Sequence, residues 1–363
     1  MTDAVAESAP FDVRYMYLAG GLADGNGTCN SCDSSCTAGG VSCGTQGSAC
    51  GWWGCWQDVS VPPGQYVRDL LSTTYEMGQI PMITYYEILQ TSGVTEGAAE
   101  VTTAANDTAL MTRFFNDFRF LLQQLGARTA FVHVEPDFWG YAEKLNQDPH
   151  QLAAAVAKAN PTDCAAQEDS IAGLGRCVIA MARAYAPNVK IGLHASAWGT
   201  GNDAMQNRDP SFDIAADAQK LADFLIACGA GDADFVGVDA SDRDAGYYRS
   251  IGQQVFWDAT DATLPNFKQA FAWTQALTER LGKPALWWQL PLGNMSLPDV
   301  NLAWQDNRVD YFFSHPADVA RTNAIGMLFG AGESHQTNPS SDGGNFVRKA
   351  QALAAAGGQP ACF

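Results

Sequence analysis

The chain has 363 residues, 47% hydrophobic and 17% charged, with a net charge of −18. That composition is globular rather than disordered, and its acidic surplus repels nucleic acid, whose binding rests on Lys and Arg contacts to phosphate. No apolar run approaches the roughly 20 residues of a membrane helix, so no membrane partner is expected.

Short apolar runs alternate with longer helical patterns along the chain, the signature of a parallel βαβ protein. The first strand is expected at Val13–Leu18. A Gly/Cys-rich insertion follows at 26–58, with six cysteines at 29, 32, 36, 43, 50 and 55. The others are Cys164, Cys177, Cys228 and Cys362, ten in all. An even, crowded set of this kind predicts disulfides, an oxidising compartment and a secreted protein. Cys29-x-x-Cys32 has zinc-ligand spacing, but no second dyad of that form accompanies it. Met1–Val5 lacks the basic start and apolar stretch of a signal peptide, so either a leader has been removed or the protein is not exported.

A helix around Val67, Leu70 and Leu71 leads to a second strand, Ile80–Tyr86. Phe114, Phe115, Phe118, Leu121, Leu122 and Leu125 recur at helical spacing before Gly126, and strand three follows at Thr129–Val134. Ile171, Leu174, Val178, Met181 and Tyr185 form the next helix, leading to strand four at Val189–Leu193. Leu221, Leu225 and Cys228 precede strand five, Phe235–Val238; Phe267, Phe271, Thr274, Leu277 and Leu281 precede strand six, Ala285–Trp288. Strand seven is Ile325–Phe329, and a helix around Val347, Ala350 and Leu353 closes the chain. An eighth strand has two candidates, Val309–Phe313 and Val255–Trp257, although 310–324 reads equally well as a helix. The expectation is one α/β domain over 1–363, a TIM-like (β/α) barrel of seven or eight parallel strands with a disulfide-rich loop after strand one.

In such a barrel, chemistry sits where strands end. The strand ends read Tyr85-Tyr86-Glu87, His133-Val134-Glu135-Pro136-Asp137-Phe138-Trp139, His194-Ala195-Ser196-Ala197-Trp198, Asp239-Ala240-Ser241-Asp242, Trp287-Trp288-Gln289 and Gly332-Glu333-Ser334. Carboxylates facing one another divide labour between acid and base, as glycoside cleavage requires, while aromatic faces suit sugar rings. The candidate catalytic residues are therefore Glu135, Asp137, Glu87, Asp239 and Glu333, with Glu135 foremost. Candidate substrate contacts are Tyr86, Trp139, His194, Trp198, Asp242, Trp288 and Gln289, with Trp53 from the cysteine-rich loop. His133, inside its strand, reads as a core residue.

Glu135-Pro136-Asp137, entered from an apolar strand, resembles the corresponding segment of glycoside hydrolase family 6, cellulases with a seven-stranded barrel. His194 with Trp198 and the late Gly332-Glu333-Ser334 follow in a similar order. Tyr85-Tyr86-Glu87 departs from that family's D-R-D-C segment, and Asp242-Arg243-Asp244 lies two strands too late to replace it. The resemblance implies a barrel architecture and a polysaccharide substrate.

Nucleophile-elbow, phosphate-loop and dinucleotide motifs are absent, and no cofactor or metal is expected. The reading is a secreted, monomeric glycoside hydrolase acting on a neutral, β-glucan-like polysaccharide. Two alternatives stand beside it. A metal could be held by Glu87, Glu135, His194, Asp239 and Glu333, or the barrel could bind sugar without cleaving it.

Overall fold

A computed structural model describes residues 9–19, 22, 37–38, 41–42, 64–91, 97–330 and 334–358. Its strands are β1 (Val13–Ala19), β2 (Thr37–Ala38), β3 (Val41–Ser42), β4 (Ile80–Tyr86), β5 (Phe131–Val134), β6 (Lys190–Ala195), β7 (Phe235–Asp239), β8 (Ala285–Leu290) and β9 (Ala324–Phe329). Seven of them form one sheet in chain order, β1-β4-β5-β6-β7-β8-β9. β2 and β3 form a separate antiparallel pair. The fold class is α/β, a TIM-like succession of seven parallel strands with helices in the crossovers.

In the sheet, the strands between β1 and β9 are largely apolar and buried, as expected where both faces are covered. Met82 and Ile83 of β4 are neighbours that point to opposite sides, and each is 0% exposed. Every residue of β8 is buried. Neither candidate for an eighth strand is one. Residues 308–314 are helical, with Val309 and Phe312 buried at i, i+3 spacing, and Val255–Trp257 is irregular.

Cα packing divides the chain into two compact units. The first comprises residues 13–194 with 223–235. Its long helix, Thr108–Leu125, starts where the Asp107 carboxylate accepts from Ala109 N (2.8 Å) and Leu110 N (3.1 Å). That helix sends Phe114 and Phe118 against Tyr85 of β4, at ring separations of 5.6 and 5.1 Å. Tyr85 thus faces the helices, and Thr84 and Tyr86 face the other side of the strand. The helix Ile171–Tyr185 is capped by Ser170 and stapled by the Cys164–Cys177 disulfide, whose Cα atoms are 5.5 Å apart. A cross-link over that span restricts the unfolded chain by about 3 kcal/mol.

Cys228 differs from the expectation of paired cysteines: it is a buried free thiol. It packs where Gly175 leaves room, since a Cβ on Gly175 would come within 2.9 Å of the Cys228 Cβ and 2.2 Å of its carbonyl oxygen. Burial pushes its pKa up, so it stays a protonated, unreactive thiol. The cysteine-rich segment at 29–55, with Trp53 and the expected stapled flap, lies outside the described residues apart from β2 and β3.

The second unit comprises 1–12, 195–222 and 236–363. Trp287 of β8 packs against Phe271 and Phe312 at 5.9 and 5.2 Å, and Phe267 stacks on Tyr311 at 3.6 Å. The helix Phe267–Leu281 begins at an Asn266 cap and ends at Gly282, whose φ of 65° is the left-handed stop that glycine permits.

One packing constraint of the first unit is sharp enough to test. A Cβ at Gly192 of β6 would meet the Phe235 ring at 2.5 Å. Gly192→Ala is expected to cost about 1–3 kcal/mol in urea unfolding, the usual penalty for overpacking. Adding Phe235→Leu should recover most of that loss, and a double variant no more stable than Gly192→Ala would show that the ring is not the obstacle.

Candidate active site

In the first unit the ends of β4 and β5 are tied by one side chain. Glu135, immediately after β5, is 0% exposed. Its Oε1 accepts from Glu87 N (2.8 Å) and Ile88 N (3.1 Å), and its Oε2 from Ile88 N (3.2 Å). Its own N–H donates to Tyr85 O at 2.7 Å, extending the strand ladder by one residue. Buried carboxylates are tolerated when donors surround them, and here the backbone supplies the donors.

Two residues later, Asp137 is half-buried, and its Oδ2 accepts from the Tyr86 hydroxyl at 3.2 Å. Glu135 and Asp137 have φ of 51° and 61°, a left-handed conformation that side chains other than glycine adopt at a cost of about 1–3 kcal/mol. Glu87 is also 0% exposed. Trp139 is 1% exposed, with its indole N–H on Val134 O at 2.9 Å and its ring edge-on to Phe138. It is a core residue that seals the turn from below, and it has no open face for a sugar ring.

His194 is buried as well. Its Nδ1 lies 3.0 Å from Nε2 of His133, so the two rings share one hydrogen bond between β5 and β6. Burial first, and the neighbouring His194 second, hold His133 well below the usual histidine range. The pair is a strut inside the sheet, as expected for His133; His194 presents no exposed face to a substrate.

In the second unit, Asp239 ends β7 half-buried, in register with Trp288 of β8. Asp203, which strand-end reading missed, lies close enough for the two charges to interact. Its loop turns back onto β6 through Ala204 N on Ala197 O (3.1 Å), and Gln269 Nε2 holds Ala204 O at 2.8 Å. Asp203 is open to solvent as a residue, yet the protein around it is dense. That crowding, then the Asp239 charge, raises its pKa to about 6 against partial relief from Met205 N–H, Gln206 N–H and Arg308. Trp198 is half-buried, whereas Trp288 and Gln289 are buried, at 4% and 6% exposure. Asp242 is exposed and accepts from the Tyr248 hydroxyl. Arg243 lies over the Tyr247 ring at 4.7 Å. Glu333 is outside the described residues.

Asp244, Asp306 and Arg308, each 0% exposed, form a buried cluster that the sequence did not announce. Asp306 accepts from Ala245 N and Arg308 Nη1, both at 2.7 Å, and from Arg308 N at 2.8 Å. Arg308 also donates to Val255 O at 3.1 Å and stacks over Trp257 at 4.5 Å. Asp244 accepts from Thr337 N at 2.8 Å and from Gly293 N–H, joining the segments after β7, β8 and β9. Burial first, and then the Asp306 charge, raise Asp244 to about 7.

Among the described residues, no group of three or more His, Cys, Asp or Glu side chains is arranged to hold a metal ion. No protein-family profile matches the chain, and no curated protein sequence does. The Glu-Pro-Asp resemblance therefore stands on its own few residues. Among solved structures, a β-glycosidase superimposes with a TM-score of 0.43 at 10% identity, over 84% of this chain and 79% of that one. At one identical residue in ten, the side chains themselves must carry any functional reading.

The Asp244 cluster predicts a specific pH dependence. Its folded pKa of about 7 lies above the ordinary 3.8, so the folded chain keeps a proton that the unfolded chain releases. Stability from this group is full below pH 4, declines as pH rises towards 7, and is gone above it. The total is of order 4 kcal/mol at most. Asp244→Asn keeps an acceptor for Thr337 N and removes the titration. The variant should lose less melting temperature than the parent between pH 5 and 8, and parallel curves would contradict this placement of the proton.

Proposed function

We propose that the protein is a secreted glycoside hydrolase that cleaves a neutral, β-glucan-like polysaccharide by carboxylate acid–base chemistry. The observation that carries this reading is the Asp203–Asp239 pair. Asp203 keeps its proton to about pH 6, and Asp239 sits beside it at the end of a buried strand. A carboxyl group that holds its proton close to a second carboxyl group is what glycosidic cleavage uses.

Asp203 gives its proton to the glycosidic oxygen as the bond from that oxygen to the anomeric carbon breaks. In a direct displacement, Asp239 takes a proton from the water whose oxygen joins the same carbon. In a two-step route, Asp239 first bonds to the carbon and water then releases it. Both routes consume one water: in the first, the proton left on Asp239 exchanges with solvent and Asp203 is reprotonated from it, and in the second, the Asp203 carboxylate takes the water proton as Asp239 is released.

Three further features support the substrate class and setting. A net charge of −18 suits a neutral glycan better than an anionic one. Trp198 is half-buried at the end of β6, where an indole can meet a sugar ring. The Cys164–Cys177 disulfide suits an oxidising compartment.

Reducing-end release from a soluble β-glucan tests the assignment. Asp203→Asn and Asp239→Asn are each expected to lower turnover by about 10²-fold or more without lowering the melting temperature. Because Asp203 acts in its protonated form, wild-type kcat/KM should fall as pH rises through about 6. Undiminished turnover in both variants, or activity abolished by a chelator, would remove the pair from the reaction. Binding of glucan with no turnover in the wild type would instead favour a sugar-binding barrel.

A further inference from the structure

We propose that Gln269 is a positioning residue for Asp203: its side-chain amide holds the carbonyls of Ala204 and Asn207, and so fixes the turn that carries the Asp203 carboxyl. The proposal rests on the glycosidase reading above and lies wholly within the second unit.

Residues 199–213, which follow β6, contain only Ala204, Met205, Pro210 and Phe212 as apolar side chains. So few cannot order the segment by burial alone. It is tied instead at two places, both reached from the helix Phe267–Leu281. Ahead of Asp203, the Thr200 hydroxyl donates to Asp217 Oδ1 at 2.5 Å, and Asp217 Oδ2 takes the Trp273 indole N–H at 3.0 Å. Beyond Asp203, Gln269 Nε2 donates to Ala204 O at 2.8 Å and to Asn207 O at 3.0 Å. Gln269 and Trp273 are four residues apart and so share one face of the helix. Both are buried.

The partners of Gln269 are both carbonyl oxygens, so only its NH2 group can face them. Its backbone is fixed as well, because Gln269 N donates to the Asn266 cap at 2.8 Å. The path from this clamp to Asp203 is short. Met205 N donates to Asp203 Oδ1 at 3.2 Å, and Gln206 N to Asp203 O at 3.1 Å. The two N–H groups that hold Asp203 thus lie between the two carbonyls that Gln269 holds. The charged groups near Asp203 are Asp239 and Arg308, and both belong to other segments. Where the carboxyl stands against them is therefore set by the turn.

Loosening the turn would return the carboxyl to water and take it from Asp239, and both changes lower its pKa. They outweigh the smaller, opposite effect of losing the two N–H groups and Arg308. Gln269→Met keeps the length of the side chain and removes the donor, while the Thr200 tie remains. Carboxyl 13C NMR of this variant should show the Asp203 midpoint lower by about one pH unit or more, with the falling limb of kcat/KM moved by the same amount. At pH 6 the protonated fraction would drop from about one half to about one tenth, so turnover on β-glucan should fall about fivefold with KM little changed. Added to Asp203→Asn, Gln269→Met should cause no further loss. Gln269→Asn keeps the amide one methylene short and should shift the midpoint less, in the same direction; it serves also if the methionine variant does not fold.

An Asp203 midpoint unmoved in a folded but less stable variant would make Gln269 a plain stabiliser and overturn the proposal. Fully additive losses with Asp203→Asn would overturn it too. A wild type without turnover on neutral glycans would sink the glycosidase reading, and the Asp203 midpoint would still decide whether Gln269 sets that carboxyl.

Discussion

A carboxylate withdrawn from water must find donors, and in each unit the strand ends are arranged around that requirement. Glu135 finds them in the backbone N–H groups of Glu87 and Ile88. Asp306 finds them in Ala245 N, Arg308 N and the Arg308 guanidinium. Asp244 has Thr337 N and Gly293 N–H but no cation of its own, and the proton it retains to about pH 7 makes up the difference. Acids satisfied in these ways hold loops together. Asp137, Asp203 and Asp239 differ in keeping open surface.

The aromatic residues sort by the same logic of exposure. Trp139 and Trp287 lie at strand ends in the sequence, yet their exposures of 1% and 0% place them in the core. Trp139 braces a strained turn, and Trp287 packs against the helices through Phe271 and Phe312. Trp198 is different because its segment leaves the sheet and loops back, leaving the ring half-buried.

All seven strands of the sheet were legible because most are short, continuously apolar runs bounded by helical periodicity and a stop. The helix at 308–314 was harder: Val309, Tyr311, Phe312 and Phe313 are dense enough to mimic a strand, and only the burial of Val309 and Phe312 separates the two patterns. Residue type and strand-end position brought out Glu135, Asp137 and Asp239 as a group. The division of roles among them was not legible. Whether Glu135 meets a substrate or a backbone N–H depends on where residues 87–88 lie, which are 48 and 47 positions away in the chain. Asp203 was missed because it follows the end of β6 by eight residues and reaches Asp239 only through the fold of its loop. Burial similarly hid the fate of Cys228, whose place is set by the gap at Gly175 rather than by a partner thiol.

The central claim is that Asp203 keeps its proton well above the ordinary range because the protein crowds it and, second, because the Asp239 charge lies near it. Carboxyl 13C NMR across pH 3 to 9, with signals assigned from single Asp→Asn variants, tests this most directly. The account predicts that Asp203 titrates near pH 6 and that Asp239→Asn moves its midpoint down towards the ordinary carboxylate value. An Asp203 signal that titrates near pH 4 in the wild type, and does not respond to the loss of Asp239, would contradict it.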